Sequence, residues 1–213
     1  MRKKLAILGA GHLGQQIAHY AITDHHYEEI LFFDDFAAPA AGKPKILGGS
    51  GLIEREFEKN SFDEIILGIG YKHLRARKDF YEKLKDKVPF GKVIHSTSWV
   101  DPSAIVEAGC VIYPRCCIDA QAVIQANSVL NLSCVVAHDS NVGKHCFFSP
   151  GVTLAGYVNV GEVCFFGIHS TVIDNLKIAP HTQLGGGSVV IEDIRRPGLY
   201  AGNPVRWIRE PRG

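Results

Sequence analysis

From residue 100 to residue 190, every sixth residue is aliphatic or Phe: Val100, Val106, Ile112, Ile118, Ile124, Leu130, Val136, Val142, Phe148, Leu154, Val160, Phe166, Val172, Ile178, Leu184 and Val190. A period of six fits neither an α-helix, at 3.6 residues per turn, nor a lone strand, which alternates every two. It fits a chain wound as a three-walled prism. Each six-residue row is one wall of a coil, three rows close an eighteen-residue coil, and coils stack by strand pairing about 4.8 Å apart. The position four residues after each apolar one is mostly small: Ala104, Cys110, Cys116, Ala122, Ser128, Cys134, Ser140, Cys146, Cys164, Ser170, Thr182 and Ser188. The branched residue then fills the axis of the prism, and the small one sits where the wall turns. A β-sandwich of short strands has no reason to keep sixteen successive residues in phase.

The N-terminal part reads differently. An apolar strand over residues 3–10 runs into Gly9, Gly11 and Gly14, a GxGxxG that opens a helix over 13–22. The next strand, 29–33, ends in Asp34 and Asp35, about 20 residues past the last glycine, the spacing at which an acidic residue reaches a ribose hydroxyl. Further strands are predicted at 45–47, 64–68 and 92–95, with helices at 51–59 and 74–87. Alternating strands and helices make a small Rossmann-like parallel α/β sheet over residues 1–95, and the β-helix with its cap takes 96–213. About 95 residues supply one mononucleotide half, which favours a nucleotide attached to something else over NAD. The glycines also admit a plain reading as a tight turn with close helix packing.

Balanced charge, 23 basic against 22 acidic side chains, speaks against nucleic acid and membrane surfaces as partners. No apolar run approaches the roughly 20 residues that span a bilayer, and residues 1–4 do not read as a cleaved signal, so a cytoplasmic protein is expected. Five of the six cysteines occupy the small slot of the repeat and read as reduced packing residues; Cys117 has no CxxC partner, and no metal site is expected. After Val190 the repeat gives way to Pro197, Gly202 and Pro204, expected to stop further coils, with Arg195, Arg196, Arg206 and Arg209 in a cap suited to phosphates.

His138 is the third residue of its row, a phase that points out of the wall, and Asp139 follows it. A neutral imidazole oriented by a carboxylate can take a proton from an attacking amine at neutral pH. Eighteen residues on, stacked beside His138, stands Gly156, whose bare backbone leaves room for a reacting carbonyl and offers an N–H to its oxyanion.

A nucleotide-type domain followed by a hexapeptide β-helix, with GAGHLG, FFDDF, GIG ending at Gly70, VVAHDSNVG, FFGIHS, LGGGSVV and AGNPVR, resembles the NeuD/PglD-type sugar acyltransferases over essentially the whole chain. That resemblance implies a left-handed coil, a homotrimer, acetyl-CoA in a cleft between neighbouring β-helices, and a nucleotide-linked amino sugar held by the N-terminal domain. It implies His138 as general base with Asp139 beside it, and acetyl-CoA contacts at Gly156, Gly167, Ile168 and Gly186. It places the sugar nucleotide near Gly11, His12, Asp34, Asp35 and Gly70. One departure stands out: where related enzymes often carry a second His near acetyl-CoA, this chain has Phe147, and the nearest histidines are His145 and His169.

N-acetylation of a nucleotide-linked amino-deoxy sugar is the leading expectation. O-acetylation of a sialic-acid-like sugar on the same scaffold, a non-catalytic trimeric β-helix scaffold, and an NAD-dependent oxidoreductase using GAGHLG are the alternatives. The nucleotide, the sugar and the acylated position are not written in these residues.

Overall fold

The computed structural model describes residues 3–37 and 45–211. The chain divides into two compact units between Val93 and Ile94.

In the first unit, β1 (Lys4–Leu8), β2 (Glu29–Phe33), β3 (Ile46–Gly48) and β4 (Glu64–Leu67) form one parallel sheet in the order β3-β2-β1-β4. Leu5, Ala6, Ile7, Phe33, Ile65, Ile66 and Leu67 are fully buried, as expected of strands covered on both faces. The connecting helices are α1 (His12–Thr23), α2 (Ile53–Glu58) and α3 (Leu74–Leu84). Helix α1 buries Gly14, Ile17 and Ala21, a stripe at helical spacing. The stripe of α3 is Leu74, Arg77, Tyr81 and Leu84.

The strand expected at 92–95 does not join this sheet. Only a single bridge, Ile65 to Phe90, extends it. The observed strand is Val93–Ile94, and the His95 N–H donates to the Ile112 carbonyl at 3.0 Å, inside the second unit. The reason lies in the repeat: Ile94 is six residues before Val100 and is already in phase with the prism, against whose core it packs.

The second unit is a left-handed parallel β-helix of two-residue strands in three walls. The first wall runs from Trp99–Val100 through Cys117–Ile118, Val135–Val136, Thr153–Leu154 and Thr171–Val172 to Val189–Val190. A second runs from Ile105–Val106 to Lys177–Ile178, and the third contains Val111–Ile112, Val129–Leu130, Phe147–Phe148, Phe165–Phe166 and Thr182–Leu184. Val136 pairs with Ile118 below and Leu154 above, one eighteen-residue coil in each direction. Of the in-phase residues from 100 to 190 only Val100 is not buried, and Ile94 before it is likewise half-buried.

Two features of the corners are not visible in the hydrophobic pattern. The small slot is a hydrogen-bonding slot: Cys110, Cys116, Cys134 and Cys146 point their thiols at the carbonyls of Gln125, Asn131, Ser149 and Gly161, at 3.1–3.3 Å. Ser140 donates to Ala155 at 2.8 Å and accepts from the Val158 N–H at 3.0 Å, tying one coil to the next. Burial drives the Cys146 thiol well above its ordinary pKa, and burial with the nearby Asp119 charge also raises Cys117. Cys146 and Cys117 are thus held as thiols, and all six cysteines are free of disulfides.

The second feature is backbone handedness. Fourteen positions six apart have positive φ: Gly109, Arg115, Gln121, Asn127, Ser133, Asp139, His145, Gly151, Tyr157, Val163, His169, Asn175, His181 and Gly187. Each sits at a turn between walls, where a residue with φ near +60° bends the chain sharply from one wall into the next.

The third wall continues beyond the expected stop. Gly198–Gly202 adds in parallel to Thr182–Leu184, with Tyr200 opposite Leu184 after sixteen residues, and Val205–Arg209 folds back antiparallel as the cap. Ile194, still bridged to Ile178, is buried, so the final coil is shortened and then closed by a hairpin.

Candidate functional site

In the first unit, the loops at the carboxyl ends of β1, β2 and β4 are built around close backbone contacts. A Cβ on Gly14 would lie 1.9 Å from the Gly9 carbonyl oxygen, and one on Gly68 would lie 2.7 Å from the Gly14 Cα. Gly9 itself has φ +109°. These glycines are required by packing alone. Gly11 and Gly70 differ: a Cβ on either meets nothing within 4 Å, and both precede helical turns in extended conformation without a side-chain cap. The space beside Gly11, at the start of α1, is therefore open, as an anion site there requires.

Asp34 is a loop organiser. Its Oδ2 accepts the Ala10 N–H at 2.7 Å, and its Oδ1 accepts those of Phe36 and Ala37 at 2.8 and 2.9 Å. Burial by itself raises its pKa, but these three donors outweigh it and hold the carboxyl below its ordinary value. Asp35 accepts the Ser50 N–H at 2.6 Å and so ties β2 to the start of the α2 segment. The acidic pair therefore organises the loops after β1 and β2 and the start of the α2 segment through backbone contacts. His12 is exposed at the start of α1.

Sequence reasoning overlooked Arg77. It is fully buried on α3, and its Nη1 donates to the carbonyls of Leu67 and Ile69 at 2.5 and 3.2 Å, clamping the loop that presents Gly70. A lone Arg in the apolar stripe of a predicted helix was the available signal.

In the second unit, His138 and Asp139 occupy the corner that joins the Val135–Val136 strand to Asn141–Val142. The left-handed φ of Asp139, +58°, turns its carboxylate back so that Oδ2 lies 3.0 Å from His138 Nδ1. A carboxylate is only an acceptor, so Nδ1 carries the proton and Nε2 presents its lone pair. Both side chains remain reachable, with about half of His138 exposed. A Cβ on Gly156 would lie 2.7 Å from His138 Cε1 and 2.8 Å from Nε2. The space that glycine clears is thus taken by the imidazole, which lies against the Gly156 backbone. Tyr157 packs edge-on to the ring, with centroids 5.2 Å apart and planes at 88°.

The expected cofactor residues separate into two groups. Gly156 shares the His138 corner. Gly167, Ile168 and Gly186 lie together at the corner between the third and first walls. There, a Cβ on Gly167 would be 2.5 Å from the Gly186 nitrogen, and one on Gly186 would be 3.0 Å from Ile168 Cγ2. Ile168 is exposed. One six-residue wall, about 20 Å at 3.3 Å per residue, separates the two corners within a chain.

Phe147 is buried on the third wall and stacks on Phe165 at 6.3 Å, offering no polar group. His145 is buried beside Asn127, 2.9 Å from its amide, and His169 lies over Gly151; neither is at the corner of His138. In the cap, the Arg196 guanidinium sits 4.1 Å from the Trp207 ring centre, and Arg195 is 3.9 Å from Asp193. Among the described residues no cluster of three His, Cys, Asp or Glu side chains is placed to hold a metal, and no helix is long and apolar enough to cross a membrane.

Residues 4–84 match the PglD N-terminal domain family. No curated relative matches the chain in sequence. Among solved structures, the acetyltransferase domain of PglB from Neisseria gonorrhoeae is 26% identical with a TM-score of 0.86, covering 97% of this chain and 100% of that one. PerB from Caulobacter crescentus, solved with CoA and GDP-perosamine, is also 26% identical with a TM-score of 0.88, covering 96% of this chain and 97% of its own. WeeI from Acinetobacter baumannii, 18% identical with a TM-score of 0.82 over 96% of this chain and 99% of that one, shares the fold.

Proposed function

We propose that this chain, a NeuD/PglD-type hexapeptide-repeat sugar acyltransferase, moves an acetyl group from acetyl-CoA to the amino group of a nucleotide-linked amino sugar. The observation that carries the mechanism is the His138 corner: a half-exposed imidazole with Nδ1 held by Asp139 and Nε2 lying against the backbone of a glycine. PerB, with CoA and GDP-perosamine together in its structure, supports this substrate pair.

The amine nitrogen attacks the thioester carbonyl, and His138 Nε2 takes the proton that the nitrogen must lose. The carbonyl oxygen becomes an oxyanion, to which the Gly156 N–H can donate; that N–H has no acceptor among the described residues. When the tetrahedral intermediate collapses, the C–S bond breaks and the imidazolium returns its proton to the CoA thiolate. Asp139 fixes the tautomer and steadies the transient positive charge. No metal enters.

Gly11 and Gly70 support a sugar-nucleotide pocket in the first unit, because nothing in the protein requires the space beside them. A homotrimer is part of the proposal: the His138–Gly156 corner and the Gly167–Ile168–Gly186 corner of one chain are a wall apart, and a second copy reunites them across one cleft. Acetyl-CoA as co-substrate points to the cytoplasm.

The test is release of CoA thiol on incubation with acetyl-CoA and a panel of nucleotide-linked amino and hydroxy sugars. His138→Ala should lower kcat by about 10²–10⁴-fold while acetyl-CoA affinity holds, the usual worth of a positioned general base. Undiminished turnover in His138→Ala, or transfer to hydroxy sugars alone, would overturn the reading.

A further inference from the structure

The fourteen left-handed corner positions are not equally comfortable for their residues. Gly, Asn, Asp and His are the types that accept positive φ most readily, whereas a bulky or β-branched residue there is an outlier. Tyr157, at φ +60°, and Val163, at φ +58°, are the outliers of this chain. Val163 is buried, so packing accounts for it. Tyr157 is not: 56% of it is exposed, and burial gives it no reason to occupy a strained seat. Strain of this kind persists where the residue has other work, and it concentrates at functional sites.

The work lies in its contact. Tyr157 follows Gly156, stacks one coil above Asp139, and donates its own N–H to the His138 carbonyl at 3.1 Å. Its ring meets the His138 imidazole edge to face. The hydrogen bond to Asp139 fixes one point of the imidazole but leaves it free to swing about that contact. Gly156 bounds the ring on one side, and the Tyr157 ring bounds it on another. An edge-to-face pair holds its partner at a preferred angle.

We infer that Tyr157 is a positioning residue that holds the His138 ring in its working orientation, at the expense of a strained backbone seat. The inference rests on His138 as the base. Its readouts are stability and kinetics measured together on the full-length protein with acetyl-CoA and a responsive amino-sugar nucleotide. Tyr157→Asn puts a residue suited to positive φ in the seat and removes the ring. Its melting temperature should equal or exceed that of the wild type, while kcat falls by about 10–100-fold with both KM values little changed, the scale of a misplaced reacting group. Tyr157→Phe should restore most of the turnover that Asn loses, since the ring and not the hydroxyl does the positioning. In the His138→Ala background, Tyr157→Asn should add no further loss.

Wild-type kcat in Tyr157→Asn overturns the inference. So does a loss in Tyr157→Phe as large as in Tyr157→Asn, or a loss that adds in full to that of His138→Ala. Undiminished turnover in His138→Ala alone marks the separate failure of the base assignment.

Discussion

Replacing Gly156 with Ala separates the space a glycine provides from the fold it supports. The added Cβ would lie 2.7 Å from His138 Cε1, 2.8 Å from Nε2 and 3.3 Å from Nδ1. Carbon contacts relax only at about 3.5–4.0 Å, so the ring must retreat by roughly 0.7–1.3 Å. The Asp139 oxygen now stands 3.0 Å from Nδ1, and a retreat of that size takes the pair to or beyond the limit of a hydrogen bond. The backbone does not object, because Gly156 is absent from the positive-φ positions. Alanine in a compatible conformation stabilises by about 0.4–1 kcal/mol through the unfolded chain. The variant should therefore melt at or slightly above the wild-type temperature and lose about 100-fold in kcat, roughly 2.7 kcal/mol of transition-state stabilisation. Thermal melts and steady-state acetyl transfer on one preparation decide it. Wild-type kcat would show that the ring does not work from its present seat. A melting temperature several degrees lower would show that the glycine serves the coil and not the histidine.

The glycines of the first unit should split in the same way. Gly14→Ala, driven into the Gly9 carbonyl, should fail to fold or melt far lower, whereas Gly11→Ala and Gly70→Ala should keep the melting temperature and raise KM for the sugar nucleotide alone. Cys134→Phe overpacks a fully buried corner and should cost about 1–3 kcal/mol in chemical denaturation, while Cys134→Ser, which can keep the bond to the Ser149 carbonyl, should be mild and reductant should change nothing. Asp34 titrates below its ordinary value in the folded protein, so the stability it supplies is complete above the unfolded pKa of about 3.9 and is lost as pH falls through the lower folded value. Acid unfolding followed by circular dichroism should show a shallower acid limb in Asp34→Asn.

The walls of the β-helix were legible because the repeat is local: a coil closes in eighteen residues, so a residue's phase in its row decides whether it faces the axis, and phase can be counted along the chain. The same counting put His138 outside the wall and Gly156 beside it. The parallel sheet of the first unit followed from strand–glycine–helix punctuation, apart from its last strand, where Ile94 answered to the period of six and left the sheet for the prism. What counting could not reach depends on side chains meeting across coils and on backbone handedness. The left-handed seats carry residue types as different as Gly, Arg, Tyr and Val, so no composition marks them, although the Gly, Asn and Asp at positions 109, 127, 139, 151, 175 and 187 trace their rhythm. Whether Gly156 leaves room for a substrate or for the imidazole turns on a rotamer. The Tyr157 contact joins residues nineteen apart in sequence through two stacked turns. The separation of Gly167, Ile168 and Gly186 from the His138 corner is a matter of which edge of a triangular prism each row ends on, and that is settled only when the coil has closed.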